Sequence, residues 1–274
     1  MAELGNISLL LAIPVSLYSI VGSILGMRLN SSEMILSARY AALSLPLVLG
    51  IATLCLVLSF VTNDFQIKYV ADHSSSAMEP WLTWVAFYAG NEGSLLFIAN
   101  IYSVLAFVAI WRAPLESRFS LPYTTAVMML VVLFFTSIMA TLANPFELLP
   151  YAPEDGQGIN PLLTHPGMII HPPMLFLGYV GLAIPFAFAM GAFMAWAVVS
   201  FVMNRGKSDW PTARIVRRIP LIGGYLRDLG FSDSMMAAAR MLRGNVPIGS
   251  ALEESSAATS VPEVAEYWKE ANHE

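Results

Sequence analysis

Long uncharged apolar runs, rather than short alternating patterns, dominate this chain. They cover residues 7–27, 40–62, 94–111, 123–143 and 172–203. A helix needs about 20 apolar residues to cross the hydrocarbon of a bilayer, so each run is long enough, or nearly so, to span. The pattern predicts an all-α, polytopic membrane protein with about five transmembrane helices. The last run exceeds the length of one crossing, which leaves a tilted helix, a helix bent at Pro185 or two joined pieces open.

Composition agrees: 57% of the 274 residues are hydrophobic and 12% are charged, against roughly 25% charged in a soluble domain. Residues 1–6 hold Glu3 and no basic residue, so the first run reads as a retained span rather than a signal peptide. The net charge of −5 gives no reason to expect nucleic-acid binding. The single Cys55 lies inside the second span, which excludes an intramolecular disulfide. No Cys-x-x-Cys-His is present, so the chain is not itself a c-type cytochrome. A phosphate-binding glycine loop, a nucleophile elbow and zinc-type ligand spacing are all missing from the sequence.

The basic residues set an orientation. Arg28 and Arg39 flank the first short loop, Arg112 and Arg118 the third, and Arg205, Lys207, Arg214, Arg217 and Arg218 follow the fifth span. Loop 63–93 carries only Lys68, and loop 144–171 has no Lys or Arg. The positive-inside rule then places both of these loops in the periplasm, with the N-terminus outside and the tail in the cytoplasm of an inner-membrane protein. His73, His165 and His171 share the outer side. Trp81, Trp84, Phe87 and Tyr88 predict a short interfacial helix, serving either as an anchor or as a ligand-facing surface.

Loop 144–171 is dense in Pro, Gly and Asn, which forbids a continuous helix. His165 precedes Pro166 and His171 precedes Pro172, so both are expected in non-helical backbone. Pro172 and Pro173 suit the first turn of the fifth helix, where no donor is missed, putting His171 at its outer mouth. Glu92 reads as a first-turn carboxylate facing unpaired amides of the third span. Asp64 and Asp72 read as solvated loop charges.

Six ordered motifs carry a family likeness: Asn63-Asp-Phe, Tyr69-Val-Ala-Asp-His-Ser-Ser-Ser, Gly90-Asn-Glu-Gly-Ser-Leu-Leu-Phe, Asn144-Pro-Phe, Asn160-Pro-Leu-Leu and His171-Pro-Pro-Met-Leu-Phe-Leu-Gly-Tyr-Val-Gly. In this order they resemble the N-terminal part of the cytochrome c biogenesis family CcmF. The resemblance implies a haem-handling role in cytochrome c maturation, with outer loops that serve haem delivery and attachment to apocytochrome c. It implies haem as cofactor, His171 as axial ligand to the haem iron and His165 as a weaker alternative, while His73 orients its loop by hydrogen bonding. Implied partners are a haem chaperone, apocytochrome c or its thiol-handling partner, and the bilayer. The family's tryptophan-rich segment, its second outer histidine and its two intramembrane histidines have no counterpart among these residues. After His171 the only histidine is His273.

The tail resembles something else. Arg218-Ile-Pro-Leu-Ile-Gly-Gly-Tyr-Leu-Arg-Asp-Leu and Ala239-Arg-Met-Leu-Arg-Gly-Asn-Val-Pro-Ile-Gly-Ser-Ala-Leu-Glu are similar to the cytoplasmic domain of the secretion and pilus platform family GspF/PilC. This divides the chain into a membrane part, 1–190, and a partial helical domain, 191–274. Short amphipathic helices are expected there. One carries Ile219, Leu221, Leu226 and Leu229, another Met235, Met236, Ala239 and Leu242 as a packing stripe, and Pro247 opens the next. Half of such a bundle leaves an apolar face uncovered, so the tail is expected to fold loosely or to pair with another chain. A secretion or pilus scaffold, and a join of two neighbouring reading frames, remain open as alternatives.

Overall fold

The computed structural model describes residues 1–113, 119–206, 220–244, 246–258 and 262–271, with backbone alone across 201–206, 220–230, 233, 257–258 and 262–263. Its helices are α1 (Ala2–Leu29), α2 (Ser32–Val61), α3 (Lys68–His73), α4 (Pro80–Phe87), α5 (Asn91–Trp111), α6 (Leu121–Thr141), α7 (His171–Gly206), α8 (Pro220–Arg243), α9 (Ile248–Ala258) and α10 (Pro262–Ala271). Among them α1, α2, α5, α6 and α7 are long and apolar enough to cross a membrane. The protein is a polytopic helical membrane protein. The chain divides into two compact units, Met1–Ala195 and Trp196–Glu274.

Within the first unit, α1 lies along α2 and α6. Its inward side is built mainly from small residues: Gly5, Ser8, Ala12, Ser16, Ser19, Gly22, Ser23 and Gly26 are buried, with the large Leu9 among them. Its large residues Leu4, Ile7, Leu11, Leu17, Tyr18 and Val21 are exposed. Lipid tails are as apolar as leucine, so side-chain size rather than polarity decides which face turns inward, and small residues let backbones approach. A Cβ on Gly22 would stand 3.0 Å from the Ala38 Cβ, which shows how close α1 and α2 come. Ser19 Oγ adds a hydrogen bond across the pair to the Ala38 carbonyl at 2.8 Å.

The turn between α1 and α2 is shorter than the runs suggest. Asn30, at φ 53°, ends α1 in the left-handed conformation, and Ser31 caps α2 by accepting from the Met34 N–H at 3.3 Å. Consequently α2 starts at Ser32 rather than near Tyr40, and Arg39 lies within it. The fifth apolar run is one continuous helix with Pro185 in its interior. It docks through Val180, Ala187 and Ala195, while Leu177, Tyr179, Leu182 and Phe186 stay exposed. A Cβ on Gly191 would overlap Thr124, so α7 meets α6 there backbone to backbone.

The second unit has a small core of its own. Ala238, Val264 and Trp268 are buried, with Leu252 against them, and Trp268 Nε1 donates to Ser234 Oγ at 2.9 Å. One helix of 24 residues, α8, replaces the short ones expected, running on through Gly223, Gly224 and Gly230. Met235 and Leu242 are exposed and line a groove of about 220 Å³ with Ile248 and Leu252. The side chains of Ile219, Leu221, Leu226 and Leu229 lie outside the described residues, as do the cations of Arg118, Lys207, Arg214, Arg217 and Arg218.

Candidate functional site

The two loops with few basic residues, 62–90 and 142–170, fold into one layer at the same end of the helix bundle. Lys68 N–H donates to the Glu147 carbonyl at 2.9 Å and Leu149 N–H to the Gln66 carbonyl at 2.8 Å, forming an antiparallel bridge between Ile67 and Leu148. An ion pair joins Lys68 and Glu147 at 3.1 Å; both groups are exposed and screened by solvent, so it adds little beside the backbone bridge.

The motif residues make this layer. Asn63 turns the chain at φ 52° as α2 ends. Asn144 is bonded on both sides of its amide: its Nδ2 donates to Asn6 Oδ1 at 3.1 Å, and its Oδ1 accepts from Phe146 N–H at 2.9 Å. Phe146 is thereby buried against Gly5 of α1, where a Cβ would overlap the ring. Asp72, expected to be solvated, accepts from Gln157 Nε2 at 3.0 Å. Asp155 Oδ1 accepts from Ser76 N–H at 2.8 Å, Ser76 Oγ at 3.1 Å and Gly156 N–H at 2.8 Å. The Ser76 and Gly156 amides hold its carboxyl below the usual aspartate range.

Tyr69 is the centre of the layer. Its hydroxyl accepts from Gly90 N–H at 3.0 Å and donates to the Phe87 carbonyl at 3.1 Å. Burial pushes that hydroxyl far above the usual tyrosine range, so it keeps its proton and remains a donor. Gly90 and Gly93 leave the room: a Cβ on Gly90 would stand 2.7 Å from Tyr69 Cε2 and 2.8 Å from His73 Nε2. His73 Nδ1 lies 3.0 Å from the Tyr69 carbonyl, and its ring tilts over Tyr69 at 4.5 Å. Glu92 sits in the first turn of α5, as the run of unpaired amides there favours.

The aromatic residues form the short helix α4 and its end, but they pack mainly on one another. Trp84, Phe87, Tyr88 and Phe97 pack ring on ring at 5.6–6.4 Å, mostly edge to face, and Phe97 meets Phe176 of α7 at 6.2 Å. Phe87 and Tyr88 are buried and Trp84 is exposed. Tyr88 Oη donates to the Met168 carbonyl at 2.8 Å; burial pushes its hydroxyl up to about 12.

That bond anchors the segment leading into α7. Asn160 Oδ1 accepts from Leu162 N–H at 3.0 Å, and His165 Nδ1 accepts from Gly167 N–H at 3.0 Å; each caps a single 3-10 turn. His165 is extended, at ψ 133°. His171 is not: it is the first helical residue of α7, ahead of Pro172 and Pro173. The clash that keeps a pre-proline residue out of the helix is met here at a helix's first position, where Ile170 already takes the entering turn and Met174 N–H reaches its carbonyl at 3.1 Å. His171 is exposed, and among the described residues its imidazole has no hydrogen-bond partner. Ile170 at 66%, Met174 at 60% and Leu175 at 45% exposure surround it with apolar surface. No group of three or more metal-ligating side chains occurs among the described residues.

Tyr69, Gly93 and Asp155 are not marked as site residues by the sequence pattern, and Tyr88 is marked only as one of an aromatic cluster. Tyr69 and Gly93 do lie within the ordered motifs, so the signal for them was the motifs' extent rather than any pattern of charge.

The chain is similar to known proteins. The family described as Cytochrome C assembly protein matches residues 88–230. The match continues past Gly191 to residue 230, into the segment where the sequence raised the expectation of a GspF/PilC-like domain; no similarity to that second family is shown. Cytochrome c-type biogenesis protein CcmF of Escherichia coli K12 is 37% identical over 234 residues, 84% of this chain and 34% of the relative. Cytochrome c-type biogenesis protein CycK of Bradyrhizobium diazoefficiens is 32% identical over 235 residues, again 84% and 34%. A solved structure, Cytochrome c Heme Lyase CcmF, aligns with a TM-score of 0.62 at 29% identity, covering 75% of this chain and 32% of that one. The chain thus spans 34% of the length of the first of these relatives.

Proposed function

The chain belongs to the cytochrome c assembly protein family, and on that premise we propose that it serves cytochrome c maturation by presenting haem on its loop layer. His171 is the axial ligand in this reading. The observation that carries it is an exposed imidazole without a partner among the described residues, fixed at the first position of a long helix whose neighbouring Ile170, Met174 and Leu175 are exposed and apolar.

The residues present fit one side of a haem. A neutral imidazole nitrogen is a good axial donor, and Ile170, Met174 and Leu175 offer apolar surface to a porphyrin face. The Tyr88 bond to Met168 and the ring stack behind it fix the approach to α7, which sets where the imidazole stands. His165 Nδ1 accepts from Gly167 N–H in its cap, which puts the proton of the neutral imidazole on Nε2 and leaves no free lone pair for iron while the cap holds, so it is the weaker alternative. Haem is cargo here, supplying the group that becomes attached to Cys-x-x-Cys-His of apocytochrome c. A second axial ligand comes from a partner: a haem chaperone, apocytochrome c or its thiol-handling partner. The reading places 1–190 as the haem-facing membrane part and 191–274 as a cytoplasmic helical tail, in an inner membrane with the loop layer outside. Arg28, Arg39 and Arg112, at the other ends of the same spans, support that orientation.

Haem added to the purified chain in detergent tests the proposal. The Soret band is expected to shift on binding, and His171→Ala to lose the shift while melting at the wild-type temperature. Absence of a shift in the wild type, or an unchanged shift in His171→Ala, would overturn it. A cysteine at position 171 in a Cys55→Ser background, labelled from either side of the membrane, checks the orientation separately.

A further inference from the structure

At the bundle end away from the loop layer, α2 and α6 begin and α1 and α5 finish. Arg39 lies two turns inside α2, about 10 Å from its first residue. A guanidinium at that depth in an apolar span is costly and takes a partner. Its Nη2 donates to the Ile110 carbonyl, in the last turn of α5, at 3.0 Å, whereas its Nε is buried with no hydrogen-bond partner. Among the described residues no carboxylate pairs with it.

Beside Arg39 is a groove of about 460 Å³, lined also by Ser23, Ser32, Leu36, Leu121 and Thr125. It offers one fixed cation and three hydroxyls, and the neighbouring carboxylate, Glu33, does not line it. The first turns of α2 and α6 both border it, so two positive dipole ends add to the guanidinium. These groups suit an anion. The remaining walls are apolar, and Leu36 and Tyr40 carry that apolar surface outward along α2 at 47% and 62% exposure. We propose that this groove binds the headgroup phosphate of an anionic phospholipid, with Arg39 and the hydroxyls on the phosphate oxygens and the acyl chains along α2. The apolar walls favour a lipid over free phosphate, which shares the same oxygen chemistry.

The test uses the full purified chain, delipidated in non-ionic detergent and supplied with phosphatidylglycerol, phosphatidylcholine or inorganic phosphate. Native mass spectrometry reads the lipid retained, and thermal melting reads the stabilisation. Phosphatidylglycerol is expected to be retained about tenfold better than phosphatidylcholine, and Arg39→Gln to abolish that preference. Ser32→Asp is the second variant, since a carboxylate in the first turn of α2 suits the helix while repelling an anion. It is expected to fold as the wild type and lose the preference, so it decides the matter if Arg39→Gln does not fold. Equal retention of the two lipids by the wild type, or an unchanged preference in Ser32→Asp, would overturn the proposal. So would stabilisation by inorganic phosphate equal to that by phosphatidylglycerol, which would make this a free-phosphate site.

Discussion

Replacing Gly93 by alanine, a single methyl, is expected to loosen the whole loop layer. Gly93 is buried in the first turn of α5, and a Cβ there would overlap the Phe87 carbonyl and stand 2.9 Å from Tyr69 Cε1. The carbonyl is backbone at the end of α4 and accepts the Tyr69 hydroxyl, so yielding to the methyl breaks that bond. Overpacking of this kind costs about 1–3 kcal/mol, and the lost hydrogen bond about 1 kcal/mol more. Better helix propensity of alanine returns about 1 kcal/mol. The net is about 2 kcal/mol of destabilisation. Gly178 and Gly181 of α7 have nothing within 4 Å of an added Cβ, so alanine there is expected to be neutral or to stabilise by up to about 1 kcal/mol. Tyr69→Phe should cost about 1–3 kcal/mol, because Gly90 N–H loses its acceptor. Combined with Gly93→Ala it should cost less than the two singly, since both act on one bond. Thermal melting in detergent, followed by tryptophan fluorescence, ranks the variants. A Gly93→Ala chain that melts as high as Gly178→Ala would refute the reasoning.

Two further outcomes follow from the close approaches and from the ionised tie. Gly26→Leu should separate α1 from α2, because an added Cβ stands 2.7 Å from Ile35 Cγ1 and 3.1 Å from the Ile35 backbone nitrogen; a loss of about 1–3 kcal/mol is expected, while Gly50→Leu, with open space around it, should melt as the wild type. Asp155 has its carboxyl pKa lowered by folding, so its contribution is full above the unfolded value near pH 4 and is lost as pH falls through the lower folded value. Hydrogen exchange at the Ser76 amide, corrected for its intrinsic rate, should therefore accelerate in the wild type as pH falls below about 4, with Asp155→Ala exchanging fast throughout.

The spans were legible because peptide groups in lipid have to bond within their own helix, and uncharged runs of sufficient length report that directly. Their ends were less so. Arg39 interrupts the apolar run, so the pattern starts α2 too late; the structure keeps that charge inside the helix on the Ile110 carbonyl, a partner distant in sequence. The inward stripe of α1 was invisible to a polarity pattern, because glycine and serine against leucine is a contrast of size. Tyr69 could not be recognised as a centre from its neighbours in sequence, since its partners Phe87 and Gly90 arrive only when the chain folds back. The tail shows the same limit. Met235, Ala239 and Leu242 have helical spacing, yet the buried side of α8 is that of Ser234 and Ala238, selected by Trp268 from α10.

Only Asn30 and Ser31 separate the two longest crossings outside α7. Such a joint leaves no slack for α1 and α2 to enter a membrane one at a time or to face it independently. Whichever side receives Arg28 also receives Arg39, and each later crossing takes its direction from that pair. A change of charge at this corner would therefore weigh on the orientation of every span at once, set against the cations that follow the third and fifth spans, without disturbing one helix–helix contact.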